Sequence, residues 1–361
     1  MSHKFVLVAS LLLLFSFMIL TKSDNMAYAQ ADHNRYQETA NRIRANYDSN
    51  FMMLTDKAQN HYATRMYRFT GEYYYAQQVV DEVLQISARL NTYAVNIQSK
   101  SWRLIKAQEM IDELPLTRRG TLRKKALKNT ADKRFAMHLI YQMAKLDEYG
   151  LQHPSHDLFV AYLKQAELYE LMMSSDFIKA YAAQAANYVY WLKQLDIFDW
   201  RESFHSAFQF TYPDKRDDKL DRHEFNNKLY GLTHIILADS HYYQRPVSAG
   251  KHRWILKYFQ QQQQRILAYA KEDILAEIGL CYLLAGLNNH PTLTAVKKHI
   301  NGAVDNNKNM ILSLSGSDNL SHGEHRNVLA YAVLNWPSVI YPGPKLLDYE
   351  DLRNQLPLMY R

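Results

Sequence analysis

His234, His241 and Arg245 stand at spacings that put them on one side of a helix running through Lys228–Arg245. At 100° per residue the three fall within about 40° of one another, and Asp239 points well away from them. Two imidazoles in line could act as acid and base or hold a metal. Seven residues along a helix separate them by about 10 Å, too far for one ion to take both easily. No H-E-x-x-H or C-x-x-C spacing occurs, so neither a metal nor a cofactor is expected.

Glu277 is the second candidate. Ile274, Leu275, Ile278 and Leu280 surround it in sequence. A carboxylate in so apolar a helix is expected to be desolvated, which raises its pKa and suits acid chemistry. The acids just before it, Glu272 and Asp273, sit where a helix begins and complement its dipole. The third candidate is the run Ser321-His322-Gly323-Glu324-His325-Arg326. Ser321 and Glu324 have capping-box spacing, which explains both structurally, while His322 and His325 make the helix start a dense polar cluster. Nucleophile-elbow, P-loop and Rossmann patterns are absent, and no motif names a reaction.

Helices must position these residues. Glycine and proline number only 11 and 9, apolar residues recur at three- and four-residue spacings, and no convincing alternating strand is found. The pattern predicts an all-α chain of helical hairpins, arranged as an α/α toroid-like ring or a solenoid. One predicted helix runs from Glu224 to Gln244 and another from His252 to Ala270. Residues 196–219 are too aromatic for a flexible linker and read as a packed excursion or a loop roofing a cleft. The expectation is one domain over 30–361, with a possible sub-boundary near 196–220.

Lys4, the apolar run Phe5–Leu20 and Ala27-Tyr28-Ala29 have the layout of a secretory signal peptide over residues 1–29. The run is shorter than the roughly 20 residues that span a bilayer, and no later stretch is long enough. A periplasmic or secreted chain with no membrane span after cleavage is expected. The net charge is +7, and much of it is local: Arg118, Arg119, Arg123, Lys124, Lys125, Lys128, Lys133 and Arg134. No aromatics are interleaved there to stack bases, so a solvated helix and loop is expected rather than a nucleic-acid site. The single cysteine, Cys281, lies in an apolar run and reads as a core residue.

The segments KLYGLTHIILADSHYYQR, EDILAEIGLCYLLAG and GEHRNVLAYAVLNWP, with the leader and the helical body, resemble an uncharacterised domain family of exported bacterial proteins. The same segments are similar, more loosely, to inner helices of α/α-toroid glycan lyases and hydrolases, a likeness of fold alone. Two functions are therefore expected candidates. One is a cell-envelope binding or accessory protein that recognises a glycan, peptide or protein partner. The other is a toroid hydrolase or lyase on an envelope polysaccharide, using His234 or His241 with Glu277 or Glu324.

Overall fold

The computed structural model describes residues 32–128 and 130–360. The leader read in the sequence lies outside them. Within them the chain is all-α, with no strand beyond an isolated bridge between Asp305 and Met310. Among the described residues no helix is long and apolar enough to cross a membrane.

Six long helices matter most for the site. They are α2 (Asp56–Thr70), α7 (Lys133–Glu148), α10 (Ser175–Gln194), α12 (Arg222–Asp239), α15 (Glu272–Leu284) and α17 (Leu320–Leu334). They are preceded by α1 over residues 32–49. Among them α2 packs on α17, α17 on α15, α15 on α12, α12 on α10, and α10 on α7. Side chains link α7 back to α2: Arg68 Nη2 lies 2.9 Å from Glu148 Oε2, and Thr64 Oγ1 lies 3.1 Å from the Tyr149 hydroxyl. Further helices pack on these six. They include α4 (Val80–Asn96) and α5 (Lys100–Asp112) on α7, α6 (Arg118–Ala126) on α10, and α16 (Pro291–Ala303) on α15 and α17.

Small residues let these helices approach closely. The face of α10 carries buried Ala180, Ala182, Ala185 and Ala186. Opposite, a Cβ on Gly231 of α12 would meet the Phe208 ring at 2.3 Å and Ala182 Cβ at 3.2 Å. On α15, a Cβ on Gly279 would meet Val333 of α17 at 2.4 Å. Protein interiors are packed densely enough that such a clash cannot be absorbed without moving a helix. Cys281 is fully buried in this core.

The structure revises several expected elements. The helix expected over Glu224–Gln244 spans Arg222–Asp239, opened by a capping box between Asp221 and Glu224. After it, His241, Tyr242 and Tyr243 all take left-handed backbone, with φ of 51°, 55° and 72°. Ser240 pins this turn: its hydroxyl donates to Leu237 O at 2.7 Å and accepts from Tyr243 N–H at 2.9 Å. The helix expected over His252–Ala270 is two, Arg253–Gln261 and Gln263–Tyr269. The aromatic stretch holds a helix of its own, Arg201–Thr211, packed on α10 through Phe204 and Phe208.

Candidate functional site

Side chains from the six helices line a cavity of about 700 Å³. His234, His322, Glu324 and His325 line it, and Glu277 lies directly behind two of them. Two sequence candidates stand elsewhere. His241 and Arg245 do not line the cavity, because α12 ends before either. The single polar line of His234, His241 and Arg245 therefore does not exist. Arg245 is half exposed and approaches Asp239, whose carboxylate also lies 2.8 Å from His252 Nε2.

At the cavity floor, one Glu277 oxygen lies 3.5 Å from His234 Nε2 and 3.4 Å from His325 Nε2, and the other accepts from the Thr233 hydroxyl at 2.6 Å. Glu277 is fully buried. Burial pushes its carboxyl up, but the two imidazoles outweigh burial and hold it well below the usual carboxylate range. The sequence expectation of a raised pKa at Glu277 is thus reversed. Two histidines from other helices supply what its own helix lacks. His234 is held at its other nitrogen as well, 2.9 Å from Asn187 Oδ1 and 3.1 Å from the Tyr242 hydroxyl. The left-handed turn after Ser240 is what brings Tyr242 back to this ring.

The raised carboxyl is Glu324. The expected capping box is not formed. Asn319 caps α17 by accepting from His322 N–H at 2.9 Å, and Ser321 instead accepts from Thr55 N–H at 2.9 Å. That frees Glu324 to point inward, where its two oxygens lie 2.6 and 2.8 Å from His61 Nδ1. Burial pushes its carboxyl up to about 8, with Arg65 and Lys57 opposing weakly. Burial, helped by the charge of Arg65, holds His61 well below the usual imidazole range. Each partner is thus held toward its neutral form, the carboxyl by burial and the imidazole by burial with the charge of Arg65. The His61 ring also packs 5.0 Å from the His325 ring, so the two halves of the floor are continuous.

Sequence reasoning missed much of the wall. His61 belongs to a polar stripe on α2, with Lys57, Thr64, Arg65 and Arg68 at three- and four-residue spacings, and that periodicity was the available signal. The basic stretch is not simply solvated. α6 turns Arg119 and Arg123 into the cavity, and Arg123 Nη2 donates to Gln184 Oε1 at 2.7 Å. Trp191, Tyr141 and Tyr242 give the wall an aromatic part, with Trp191 5.6 Å from Tyr141 and stacked 6.4 Å from Tyr242. Among the described residues no group of three or more His, Cys, Asp or Glu is set to hold a metal ion.

Comparison with known proteins adds a family. A family model described as a domain of unknown function, DUF3541, matches residues 36–361. The chain belongs to the DUF3541 family. No curated protein and no solved structure matches it. Membership therefore brings no activity with it, and chemistry has to be argued from the cavity itself. What the cavity offers is a protonated carboxyl, two imidazoles steadied by a buried carboxylate, and aromatic faces, all in one concave space. That combination is suited to moving protons on a bound polar ligand.

Proposed function

We propose that this DUF3541 protein is an exported enzyme that cleaves glycosidic bonds in an envelope polysaccharide by acid–base chemistry, its helices forming an α/α toroid-like ring around the cavity. One observation carries the reading: Glu324 and Glu277, both buried in one histidine network, are driven to opposite protonation states. Environments that push two titratable groups apart are how one site runs acid and base steps at one pH. Glu324 is the acid. Its proton passes to the leaving glycosidic oxygen as the bond to the anomeric carbon breaks. His325, steadied by Glu277 at Nε2, takes a proton from the attacking water at its free nitrogen. His325 is 38% exposed, which gives water access to it. Each turnover consumes one water, and the proton returns to Glu324 through His61 or solvent.

The test is release of new reducing ends from a panel of defined polysaccharides. Wild type is expected to cut at least one of them. Glu324→Gln, which keeps the shape and loses the acidic proton, is expected to lose about 10²–10⁴-fold in rate. Equal and lasting binding by both proteins without cleavage would favour the second reading, a binding or accessory protein that recognises a glycan, peptide or protein partner. What supports that second reading is that Glu277 sits behind the cavity wall rather than in it. Export is tested separately, by mass spectrometry of the native protein's N-terminus, expected at or near Gln30.

A further inference from the structure

We infer that the ligand of this cavity is an acidic oligosaccharide, its carboxylates met by Arg65, Arg119 and Arg123. The inference rests on the proposed glycan reading and names the class of sugar. The cavity wall contains two kinds of cation. Arg68 and Lys145 are matched by Glu148 and Glu82. Arg65, Arg119 and Arg123 have no carboxylate within ion-pair distance among the described residues. Arg65 donates a long 3.4 Å bond to His61 O and lies 5.9 Å from the Tyr243 ring, and its Nε is buried without a hydrogen-bond partner. Arg119 lies over the Tyr230 ring and Arg123 over the Tyr181 ring, at 5.7 and 4.8 Å. Burial, with the charges of Arg119 and Arg134 adding to it, lowers the Arg123 pKa, as expected of a guanidinium with no carboxylate to compensate it.

The acids that face the same space do not cancel these charges. Burial holds the proton on Glu324, Glu82 and Glu148 are already spent on Lys145 and Arg68, and Asp273, which accepts from the Tyr230 hydroxyl, leaves one carboxylate against the three guanidiniums. The wall is therefore cationic and under-compensated, and guanidinium forks match carboxylate geometry in pairs. The aromatic side built on Trp191 and Tyr141 supplies flat apolar faces. One ligand uses both features: a chain of sugar rings, apolar on their faces, bearing carboxylates at their edges.

The test uses the full chain with Glu324→Gln, so that a bound oligomer is not cut. Titration calorimetry compares a uronic-acid tetrasaccharide with a neutral glucose tetrasaccharide. The acidic oligomer is expected to bind at least 10-fold more tightly, and its affinity should fall as sodium chloride rises from about 50 to 500 mM. Adding Arg119→Gln, at a partly buried position with no ion pair among the described residues, is expected to weaken the acidic oligomer about 10-fold and leave the neutral one unchanged. Arg65→Lys, which keeps charge and loses the fork, should give an intermediate loss. Equal affinity for the two oligomers, or no binding of either, overturns the inference. Cleavage of a neutral polysaccharide by wild type would overturn it while leaving the catalytic reading intact. Charge-selective binding with no cleavage by wild type would do the reverse.

Discussion

Glu148 and Glu324 face one cavity from different helices, and they are buried alike, at 4% and 3% exposure. Their carboxyls nevertheless move in opposite directions. Burial pushes both up. At Glu148 the cations Lys145 and Arg68, at 3.3 and 2.9 Å, more than reverse that push. At Glu324 the partner is one neutral imidazole, and burial prevails. Equal desolvation thus yields a fixed charge in one place and a held proton in the other. Between these two carboxyls the difference is that Lys145 and Arg68 are cations at neutral pH, whereas His61 is held toward its neutral form. The first arrangement ties α7 to α2. The second is poised for proton transfer.

The comparison breaks most visibly at Glu148. Glu148→Ala leaves Arg68, itself 2% exposed, with only the carbonyls of Gly343 and Tyr242. Removing one partner of a buried ion pair costs about 3–5 kcal/mol, because the other charge stays buried. Denaturant unfolding should show that loss. The double variant Arg68→Met with Glu148→Leu should recover much of it, since no uncompensated charge remains. A double variant as unstable as the single one would mean that Arg68 matters for its backbone bonds rather than for its charge.

Glu324→Gln sharpens the other side. The folded carboxyl holds its proton up to about 8, against an ordinary 4.5. The native state therefore binds that proton more tightly than the unfolded chain does. Its contribution to stability is fully present at low pH and is lost as pH rises from about 4.5 through 8. The glutamine variant has no such loss. Unfolding free energies measured from pH 5 to 9 should show it gaining on wild type, by on the order of a few kcal/mol, with the gain levelling off above about pH 8. A flat difference would mean that Glu324 is ionised throughout and cannot be the acid.

Glu277→Gln is the intermediate case. The carboxylate lost there accepts from Thr233 and faces two imidazoles, which can shed charge where Arg68 cannot. The cost should be about 1–3 kcal/mol. Its folded carboxyl is depressed, so its contribution is present at neutral pH and lost on acidification. The variant's deficit should therefore shrink as pH falls below about 4.

Periodicity in the sequence was enough to identify an all-α chain, apolar context singled out Glu277, and a dense polar cluster at a helix start singled out Glu324 and His325. Where it failed, a local competition was decided by tertiary contacts. Ser321 and Glu324 have the spacing of a capping box, but Asn319 takes the cap, and Glu324 gains a distant partner in His61. The end of α12 carries no glycine or proline to announce it. Ser240 and the Arg68 bond to Tyr242 O hold three non-glycine residues in left-handed backbone, each costing roughly 1–2 kcal/mol. Strain of that kind concentrates at functional sites, and here its product is the position of Tyr242 against His234. The inward arginines of α6 were hidden because charge density alone does not say which side of a short helix meets water.

His241→Ala gives the smallest effect, and it tests whether the left-handed turn matters for its backbone or for this imidazole. The backbone contacts of His241 survive the change: its N–H donates to Ala238 O at 3.0 Å and its carbonyl accepts from Gln244 Nε2 at 2.8 Å. Alanine meets somewhat more resistance than histidine at φ 51°, so a small loss is expected from the backbone. The side chain itself lies away from the cavity. Stability at pH 7.5 should change by less than about 1 kcal/mol, and the rate of any cleavage by less than a few-fold. Acid reveals a difference of predictable sign. Burial, with the charge of Arg245, holds the His241 imidazole below its ordinary value. The unfolded chain therefore takes up that proton first, and wild type loses stability as pH falls through about 6.5 and below. The alanine variant lacks this loss and should narrow any deficit on acidification. A cost above about 2 kcal/mol at pH 7.5, or a large fall in activity, would return His241 to the site and make the turn a device for two side chains rather than for Tyr242 alone.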